Sequence, residues 1–191
     1  MSTLDAGLQR LYSTLASTGL PVFVGGSIAA MWYGEPRSTL DIDVVVKAEP
    51  SDAGRLAEAY TGGGFYVPPV EVIREELKRG ARGSFNVVDL ESGLKIDIYV
   101  AGDDALVAYG FEHARPATVG GATLNLAPAT YVVAAKLRFY AISKQEKHLR
   151  DIRGILAISP ELVDLEHVSA WAERFQVADA WESCRGAAGA E

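Results

Sequence analysis

The sequence predicts an α/β protein of the α+β kind, in which helices flank a mixed β-sheet and a small helical part follows at the C-terminus. A helical apolar pattern opens the chain, β-branched strand patterns occupy its middle, and helical periodicity returns from residue 128 onward. The 191 residues, 49% of them hydrophobic, suffice for one folded core without disulfides or structural metals.

The first elements alternate between helix and strand. Apolar residues recur every three or four positions over residues 4–15, which predicts an amphipathic helix that ends near residues 17–19. A short buried strand follows at residues 22–24. The glycines at 25–26 end that strand, and a small apolar helix starts directly after them and stops at Gly34.

The middle of the chain has the pattern of strands and loops. Residues 40–46 form the strongest strand pattern, and residues 50–60 form a helix that begins with Pro-Ser. After that helix the pattern indicates strands and loops, with a charged stretch at 71–82. Residues 85–90 and 94–100 are expected to pair as a hairpin around a Ser-Gly turn.

Helical periodicity returns after a connection that contains Gly and Pro. It is clear at residues 128–140 and 144–158 and weaker at 162–184. We expect residues 1–126 to form the core and residues 127–185 to form a helical subdomain packed on it. Residues 186–191 are expected to form a flexible tail.

Composition excludes several classes of protein. Acids outnumber bases by 25 to 18, a net charge of −7, which argues against a nonspecific nucleic-acid coat. Residues 136–153 nevertheless hold six Lys or Arg against two acids, which permits a local basic groove. The single Cys184 argues against a disulfide framework. With no signal peptide and no membrane-length apolar run, we expect a cytoplasmic protein without a membrane partner.

Two strands carry carboxylates at alternating positions. Residues two apart in a strand share a face, so Asp41 and Asp43 project together. Asp97 lies in a second alternating strand, on one face with Lys95 and Tyr99. Carboxylate oxygens are the ligands that Mg²⁺ prefers, and three on adjacent strands would form a two-metal site. The alternative for each is an ordinary solvated acid on a half-buried strand.

A glycine turn lies shortly before the first carboxylate strand. Gly25, Gly26 and Ser27 join a strand to a helix, an arrangement in which a phosphate can approach the backbone and the helix N-terminus closely. The Ser27 hydroxyl adds a hydrogen-bond donor. The alternative is a simple turn, because the spacing matches neither the Walker nor the Rossmann pattern.

Together these segments resemble the DNA polymerase β-like nucleotidyltransferase superfamily. The resemblance lies in the Val-Gly-Gly-Ser turn at 24–27, the Arg-Ser-Thr-Leu-Asp-Ile-Asp-Val run at 37–44 and the later Asp97. Within the superfamily, the Arg-x-Thr-x-Asp-x-Asp spelling, the Ala-Lys-Leu at 135–137 and the Lys-His-Leu-Arg-Asp-Ile at 147–152 resemble the AbiEii/MenT group of toxin nucleotidyltransferases. The resemblance covers most of the chain.

This resemblance implies a nucleotidyltransferase fold and the Mg²⁺-dependent transfer of an NMP from an NTP to a large acceptor. In MenT-like members the acceptor is the 3′ end of tRNA, which is often extended with pyrimidine nucleotides, so that translation stops. It also implies a toxin–antitoxin system in which the cognate antitoxin can be a kinase-like protein.

The resemblance assigns roles to individual residues. Asp41, Asp43 and Asp97 would hold two Mg²⁺ ions, and Asp97 would also help to activate the attacking hydroxyl. Lys136 would contact the triphosphate, and Asp151 would orient Lys136 or the acceptor. The nucleotide-binding residues would be Gly25, Gly26, Ser27, Arg37 and Lys136.

Thr39 is a candidate for regulation. It lies two residues before Asp41 and shares its strand face, so a phosphate on Thr39 would place negative charge beside the carboxylates and occupy the nucleotide's position. MenT-like toxins can be silenced by phosphorylation at such a place. We therefore expect Thr39, with Ser38 and Ser27 as alternatives, to be a regulatory phosphorylation site.

Other interpretations remain open. A nucleotidyltransferase could modify a protein hydroxyl, as in AMPylation, or a small molecule such as an antibiotic, and the fold could serve as a non-catalytic binding module. A basic surface would favour tRNA, and a large acidic pocket would favour a cationic drug. Lys147 and Asp151 lie four apart on a helix, and the simplest interpretation of Lys147 is a surface ion pair. His148 receives no catalytic role.

Overall fold

The computed structural model describes residues 3–39 and 41–188 and contains a seven-stranded mixed sheet flanked by helices. This confirms the predicted fold class. The strands are β1 (Val22–Val24), β2 (Asp41–Val46), β3 (Phe65–Tyr66), β4 (Ser84–Asp89), β5 (Lys95–Val100), β6 (Arg115–Val119) and β7 (Ala122–Leu126). The helices are α1 (Thr3–Ser17), α2 (Gly26–Tyr33), α3 (Ala53–Tyr60), α4 (Val70–Lys78), α5 (Ala105–His113), α6 (Ala129–Ser143), α7 (Glu146–Ile158), α8 (Leu165–Arg174) and α9 (Ala178–Ala188).

The order of the strands brings distant segments together. Across the sheet the order is β3-β4-β5-β2-β1-β7-β6. Strand β2 is parallel to β5 and β1 is parallel to β7, whereas the other neighbouring pairs are antiparallel. The antiparallel β4–β5 pair is the hairpin that the sequence predicts. In the β2–β5 pair Asp43 lies directly beside Asp97, which places the carboxylates of two distant segments next to each other.

The apolar faces of β2 and β5 fix these strands in the core. Ile42, Val44, Ile96 and Ile98 are at most 1% exposed, whereas the acids that alternate with them are partly exposed. Burying an aliphatic side chain of this size contributes roughly 1.5–3 kcal/mol. The position of the carboxylates is therefore determined by the packing of the opposite face of the sheet.

Helices link the sheet to the C-terminal part of the chain. Helix α1 packs on β4, β5 and β7, and α2 packs on β2, α6 and α7. Helix α6 also packs on α8, and α7 packs on α9. The short helix after the glycine turn therefore lies between the carboxylate strand and the C-terminal helices.

The charged stretch at 71–82, expected among strands and loops, is mainly helical, which corrects that prediction. It contains most of α4, whose Ile73 and Leu77 are buried four residues apart on one face. The exposed face pairs opposite charges, as in Lys78 Nζ to Glu75 Oε1 at 2.7 Å. Only two buried apolar residues mark the inner face of α4, and two positions among many charged ones are too few to indicate a helix from the sequence.

The Gly- and Pro-containing connection also holds regular structure. Helix α5 follows Asp104, whose carboxylate accepts a hydrogen bond from the Val107 N–H at 2.9 Å. Strands β6 and β7 then form a hairpin, and Pro116 is tolerated there because β6 is an edge strand. The weak helical pattern at 162–184 corresponds to two helices, α8 and α9, with Gln176 between them at a φ of 59°.

Some predictions fall at the limits of the described residues. Helix α9 includes residues 186–188 of the expected flexible tail, and residues 189–191 and Leu40 lie outside the described residues. The division of the chain at residue 126 stays a prediction. Within residues 3–39 and 41–188, no helix has the length and apolar character needed to cross a membrane.

Candidate active site

A cavity of about 750 Å³ lies where β2 and β5 carry their carboxylates. Its lining comes from these strands, from the glycine turn and from α6 and α7. The residues that the sequence predicts for the site and that line the cavity are Gly25, Gly26, Ser27, Arg37, Thr39, Asp41, Asp43, Asp97, Lys136 and Asp151. The fold thus brings residues separated by more than 100 positions in the chain to one cavity.

Three acids form the strand side of the cavity, here named the carboxylate wall: Asp41, Asp43 and Asp97. The Lys95 ammonium lies 2.9 Å from Asp97 Oδ2 and 3.4 Å from Asp41 Oδ1. Its hydrogen bond to Asp97, with the charges of both carboxylates, raises the pKa of Lys95. Lys95 therefore stays positively charged at neutral pH and holds two acids of neighbouring strands together.

The third carboxylate, Asp43, has neutral hydrogen-bond partners. Its Oδ2 accepts from the Ser27 N–H at 3.3 Å, and its Oδ1 accepts from the Tyr99 hydroxyl at 3.4 Å. Burial raises the pKa of Asp43, and the charges of Asp97 and Asp41 act in the same direction. Burial and the charge of Asp43 raise the pKa of Tyr99 to about 12, so Tyr99 remains a donor.

The carboxylate wall offers oxygen donors of the type that a hard divalent cation takes, although Lys95 lies between two of the acids. In the part of the chain that the structure describes, no cluster of three His, Cys, Asp or Glu side chains is arranged to hold a metal ion. The Lys95 ammonium bridges Asp41 and Asp97 at hydrogen-bond and ion-pair distances. Asp43 lies in register beside Asp97 and has both oxygens near the cavity's neutral donors. Oxygen ligands of this kind suit Mg²⁺.

The glycine turn positions Asp43. Gly26 has a φ of +56°, and a Cβ on it would lie 1.8 Å from Asp43 Oδ2, so a larger residue would displace the carboxylate. The Gly25 N–H donates to the Asp43 backbone oxygen at 2.9 Å. The Ser27 hydroxyl accepts from Arg37 Nη2 at 2.6 Å. The turn, the first carboxylate strand and Arg37 are therefore connected by hydrogen bonds.

A second charged group lies on the helix side of the cavity and is here named the cationic cluster: Arg37, Lys136 and Asp151. Lys136 Nζ lies 2.7 Å from Asp151 Oδ2, and Arg37 Nη2 lies 3.4 Å from the same oxygen. Burial opposes ionisation of Asp151, but the hydrogen bond from Lys136 and the charges of Lys136 and Arg37 outweigh it and lower the pKa of Asp151. Among the described residues its ion pairs are with these two cations, so the interpretation of Lys147 as its partner is wrong.

Aromatic side chains lie beside the cationic cluster. Phe139 is 44% exposed and stacks on His148, with ring centroids 5.9 Å apart and ring planes 21° apart. Burial lowers the pKa of His148, and its buried Nδ1 has no hydrogen-bond partner. Both residues line the cavity together with Lys147. This side of the cavity therefore combines positive charge with an accessible aromatic ring.

Sequence reasoning gave no role to several residues in or beside the cavity: Tyr99 and Arg138 line it, and Lys95 contacts two of its acids. Lys95 and Tyr99 were detectable, because their two-residue spacing on either side of Asp97 places all three on one strand face. Arg138, whose Nη1 donates to Asp104 Oδ2 at 3.0 Å, had no such signal. Its partner lies in the connection that had no predicted element.

Comparison with solved structures identifies the fold. The solution structure of the antibiotic-resistance factor ANT(2'')-Ia matches with a TM-score of 0.60 and 15% identity, over 95% of this chain and 96% of that one. A crystal structure of ANT(2'')-Ia in complex with adenylyl-2''-tobramycin matches with a TM-score of 0.58 and 15% identity, over 92% and 98%. The chain has a nucleotidyltransferase fold. The resemblance drawn from the motifs is therefore confirmed at the level of the fold.

The likeness extends to a third solved structure. An antigenic nucleotidyltransferase-like protein from Paracoccidioides brasiliensis matches with a TM-score of 0.52 and 14% identity, over 94% of this chain and 92% of that one. No protein-family model and no curated protein sequence matches this chain. The resemblance to the AbiEii/MenT group therefore stays a prediction from the sequence motifs.

Proposed function

We propose that this protein is an enzyme that transfers an NMP from an NTP to a hydroxyl acceptor. The observation that carries the proposal is that the carboxylate wall and the cationic cluster line one cavity. A metal-bound triphosphate requires carboxylates that bind the metal and, close to them, cationic side chains that bind the phosphate oxygens. The fold, which resembles solved nucleotidyltransferases over nearly the whole chain, supports the same class of reaction.

The carboxylate wall would hold the metal. Asp41, Asp43 and Asp97 present carboxylate oxygens from two paired strands, and we propose that they bind two Mg²⁺ ions in the working site. When bound, Mg²⁺ makes the attacking hydroxyl more acidic and neutralises the charge that develops on the leaving pyrophosphate.

The proposed reaction is an in-line displacement at the α-phosphorus of the NTP. The acceptor hydroxyl oxygen forms a bond to this phosphorus while the bond from phosphorus to the bridging oxygen of the pyrophosphate breaks. The pyrophosphate leaves with the electron pair of the broken bond. The hydroxyl proton passes to the Asp97 carboxylate, whose side chain is 21% exposed and therefore accessible to the acceptor.

The cationic cluster and the glycine turn would hold the triphosphate. The Lys136 side chain is 9% exposed and its ammonium lies 2.7 Å from Asp151, so the ammonium is preorganised at the cavity wall. Arg37 Nη2 donates to the Ser27 hydroxyl at 2.6 Å and also pairs with Asp151, the partner of Lys136. Arg37 therefore connects the glycine turn to Lys136. In this role Lys136 contacts phosphate oxygens, Asp151 orients Lys136, and Arg37 with residues 25–27 supplies further donors.

For the acceptor we propose the 3′ end of tRNA, with a pyrimidine NTP as the donor. Residues 136–153 have a net charge of +4, and Phe139 adds an exposed ring beside Lys147 and His148 in the cavity lining. Proteins bind single-stranded RNA ends by combining positive charge with base stacking on aromatic rings. A tRNA blocked at this end cannot be charged, so the protein would act as a cytoplasmic toxin held in check by a cognate antitoxin.

An acceptor survey tests this proposal. The purified protein is incubated with each α-labelled NTP, Mg²⁺, total tRNA, cell protein and an aminoglycoside, and the products are separated by size and by chromatography. We expect label on RNA, most strongly with CTP or UTP. Label on protein or on the aminoglycoside would replace the tRNA proposal with one of the alternative acceptors. No label on any acceptor would contradict the enzyme proposal and favour a binding module.

The regulation we propose is phosphorylation of Thr39 by a kinase-like antitoxin, with Ser38 and Ser27 as the alternative sites. Thr39 lines the cavity, and its hydroxyl donates to the Asp41 backbone oxygen at 3.2 Å. A phosphate there adds about −1.5 to −2 charge beside three carboxylates and opposes binding of a triphosphate.

Intact-mass measurement after coexpression with the neighbouring gene product tests this regulation. We expect one phosphate adduct on the natural protein and none on the Thr39→Val variant. An unmodified natural protein, or an adduct that persists in Thr39→Val, would contradict the assignment to Thr39.

A further inference from the structure

Lys95 lies at the place where a cation shared by two carboxylates would bind. In the parallel β2–β5 pair Lys95 is the register partner of Asp41, and Asp97 follows two residues later on the same strand face. Its ammonium therefore reaches Asp97 Oδ2 at 2.9 Å and Asp41 Oδ1 at 3.4 Å. This contact joins two strands, and each distance is within the range of a direct ion pair.

The charges near the carboxylate wall favour one further divalent cation. Within the described part of the chain, Lys95 is the one Lys or Arg with an ion pair to Asp41, Asp43 or Asp97. Three carboxylates and one ammonium leave a net charge of −2, which one divalent cation neutralises. Asp43, whose hydrogen-bond partners are an N–H and a hydroxyl, has no ion pair among the described residues, although the charge of Lys136 acts on it.

Lys95 and a second divalent cation would compete for the same oxygens. An ammonium at 2.9 Å and 3.4 Å from two carboxylates leaves no room for a cation that bridges both, and like charges at such a separation repel strongly. The lysine side chain is 33% exposed and has a flexible stem, so it can move away when a stronger source of negative charge arrives. A nucleoside triphosphate is such a source.

We propose that Lys95 limits the nucleotide-free protein to one divalent cation, and that the second cation enters only with the triphosphate, which draws it in and displaces Lys95. This inference rests on the proposed function and deepens it, because it assigns an order to the binding of the two ions. It makes Lys95 a residue that determines metal stoichiometry, and it makes nucleotide and metal binding cooperative.

Mn²⁺ binding measured by electron paramagnetic resonance tests the inference without a transfer reaction. The signal of free Mn²⁺ is followed as the full-length protein is titrated, with and without the non-hydrolysable probe α,β-imido CTP. We expect one bound Mn²⁺ in the natural protein and two in the presence of the probe. In Lys95→Met we expect two without the probe, the second about tenfold or more tighter than in the natural protein.

Matched variants separate this effect from a general loss of charge. Lys47→Met removes an exposed lysine that, unlike Lys95, has no ion pair with Asp41, Asp43 or Asp97, and one bound Mn²⁺ is expected as in the natural protein. Lys95→Gln keeps a polar side chain without the charge and should behave as Lys95→Met. Asp43→Asn should lower the affinity for the first Mn²⁺ in the natural protein and in each of the lysine variants.

Two results would overturn the inference while leaving the transfer reaction to its own assay. One is two Mn²⁺ ions of similar affinity in the natural protein without the probe. The other is an unchanged number of ions in both Lys95 variants, with melting temperatures that establish their folding. Conversely, the predicted Mn²⁺ numbers in a protein that labels no acceptor would support the inference on Lys95 and contradict the proposed enzyme.

Discussion

The two charged sides of the cavity differ in how their charges are balanced. In the carboxylate wall, Asp41, Asp43 and Asp97 share one ammonium, so negative charge is in excess. In the cationic cluster two cations share one carboxylate, and that carboxylate is almost fully buried. The first arrangement carries net negative charge, whereas the second is a set of paired charges that faces the same cavity.

The two sides also differ in exposure, which decides how substitutions act. The Asp41 side chain is 55% exposed, whereas those of Lys136 and Asp151 are 9% and 7% exposed. An exposed ion pair contributes about 0–1 kcal/mol to the free energy of unfolding, whereas removing one partner of a buried pair costs roughly 3–5 kcal/mol. Changes at Asp41 should therefore affect chemistry alone, and changes at Lys136 or Asp151 should affect stability as well.

The largest effect should come from the carboxylate wall. We expect Asp41→Ala to reduce the rate of transfer by about 10³-fold or more, because a lost metal ligand removes several kcal/mol of transition-state stabilisation. Its free energy of unfolding should change by less than about 0.5 kcal/mol. Single-turnover transfer and urea denaturation measure the two quantities.

The control for this variant is Asp103→Ala, which removes an exposed aspartate that does not line the cavity. It should leave both quantities unchanged. Full transfer by Asp41→Ala would contradict the proposal that Asp41 is a metal ligand. A large loss of stability would contradict the expected difference between the two sides of the cavity.

In the cationic cluster, Asp151→Leu should lower the free energy of unfolding by roughly 3–5 kcal/mol, because it leaves the buried Lys136 ammonium without its 2.7 Å partner. Urea denaturation followed by circular dichroism measures the loss. The double variant Lys136→Met, Asp151→Leu places two apolar side chains at the buried positions and should recover most of this stability.

Transfer activity separates the structural from the functional role of the same pair. If Lys136 contacts the triphosphate, the double variant regains stability but not transfer. Recovery of both would mean that the pair serves packing alone. A single Asp151→Leu variant as stable as the natural protein would contradict the buried ion pair.

A smaller effect is expected outside both charged groups, on the exposed basic side chains of α7 and the residues before it. Reversing the charge of Lys144, Lys147 and Arg150 to Glu should weaken the use of tRNA by about tenfold and reduce its salt dependence. Nucleotide binding should change less. The measurements are kcat/KM for tRNA at several salt concentrations and the Kd of the α,β-imido nucleotide.

The same change of net charge made elsewhere is the control. Lys47, Arg74 and Lys78 are exposed residues that do not line the cavity, and their reversal to Glu should leave tRNA use close to that of the natural protein. Equal losses in the two triple variants would mean that overall charge, not a local groove, determines the affinity for RNA.

The smallest effect concerns pH. Burial opposes ionisation of Asp151, but its cationic partners lower its pKa below the ordinary value of about 3.9, so ion pairing stabilises the folded state fully above that value. This contribution is lost as the pH falls through the lowered pKa. We expect the free energy of unfolding of Asp151→Asn to depend less on pH below about 4 than that of the natural protein. Parallel pH curves would contradict this assignment.

The carboxylate wall could be predicted from the sequence because it depends on local rules. Alternation along a strand fixes which side of the sheet Asp41 and Asp43 face, and the same rule applies to Asp97. The pairing of their strands completes the arrangement. The same alternation placed Lys95 on this face, although a one-dimensional pattern does not state that its ammonium lies between two acids.

The cationic cluster could be predicted only in part. The motif resemblance selected Lys136 and Asp151, but helical spacing suggested Lys147 as the partner of Asp151. The observed partners are Lys136, on the preceding helix, and Arg37, which is 114 positions away along the chain. Contacts between helices depend on tertiary packing, which is not encoded in the periodicity of either helix. Strand β7 was not predicted either; its neighbour in the sheet is β1, which lies far from it in the sequence, so its position also depends on tertiary packing.

The central claim, transfer of a nucleotide by the carboxylate wall, is tested most directly by the position of the label in the NTP. The natural protein and Asp41→Ala are incubated with the same NTP labelled either on the α-phosphate or on the γ-phosphate, together with total tRNA. We predict that the natural protein moves the α-label to the acceptor and releases the γ-label as pyrophosphate, and that Asp41→Ala does neither. Transfer of the γ-label to the acceptor, or equal α-labelling by the two proteins, would contradict the account.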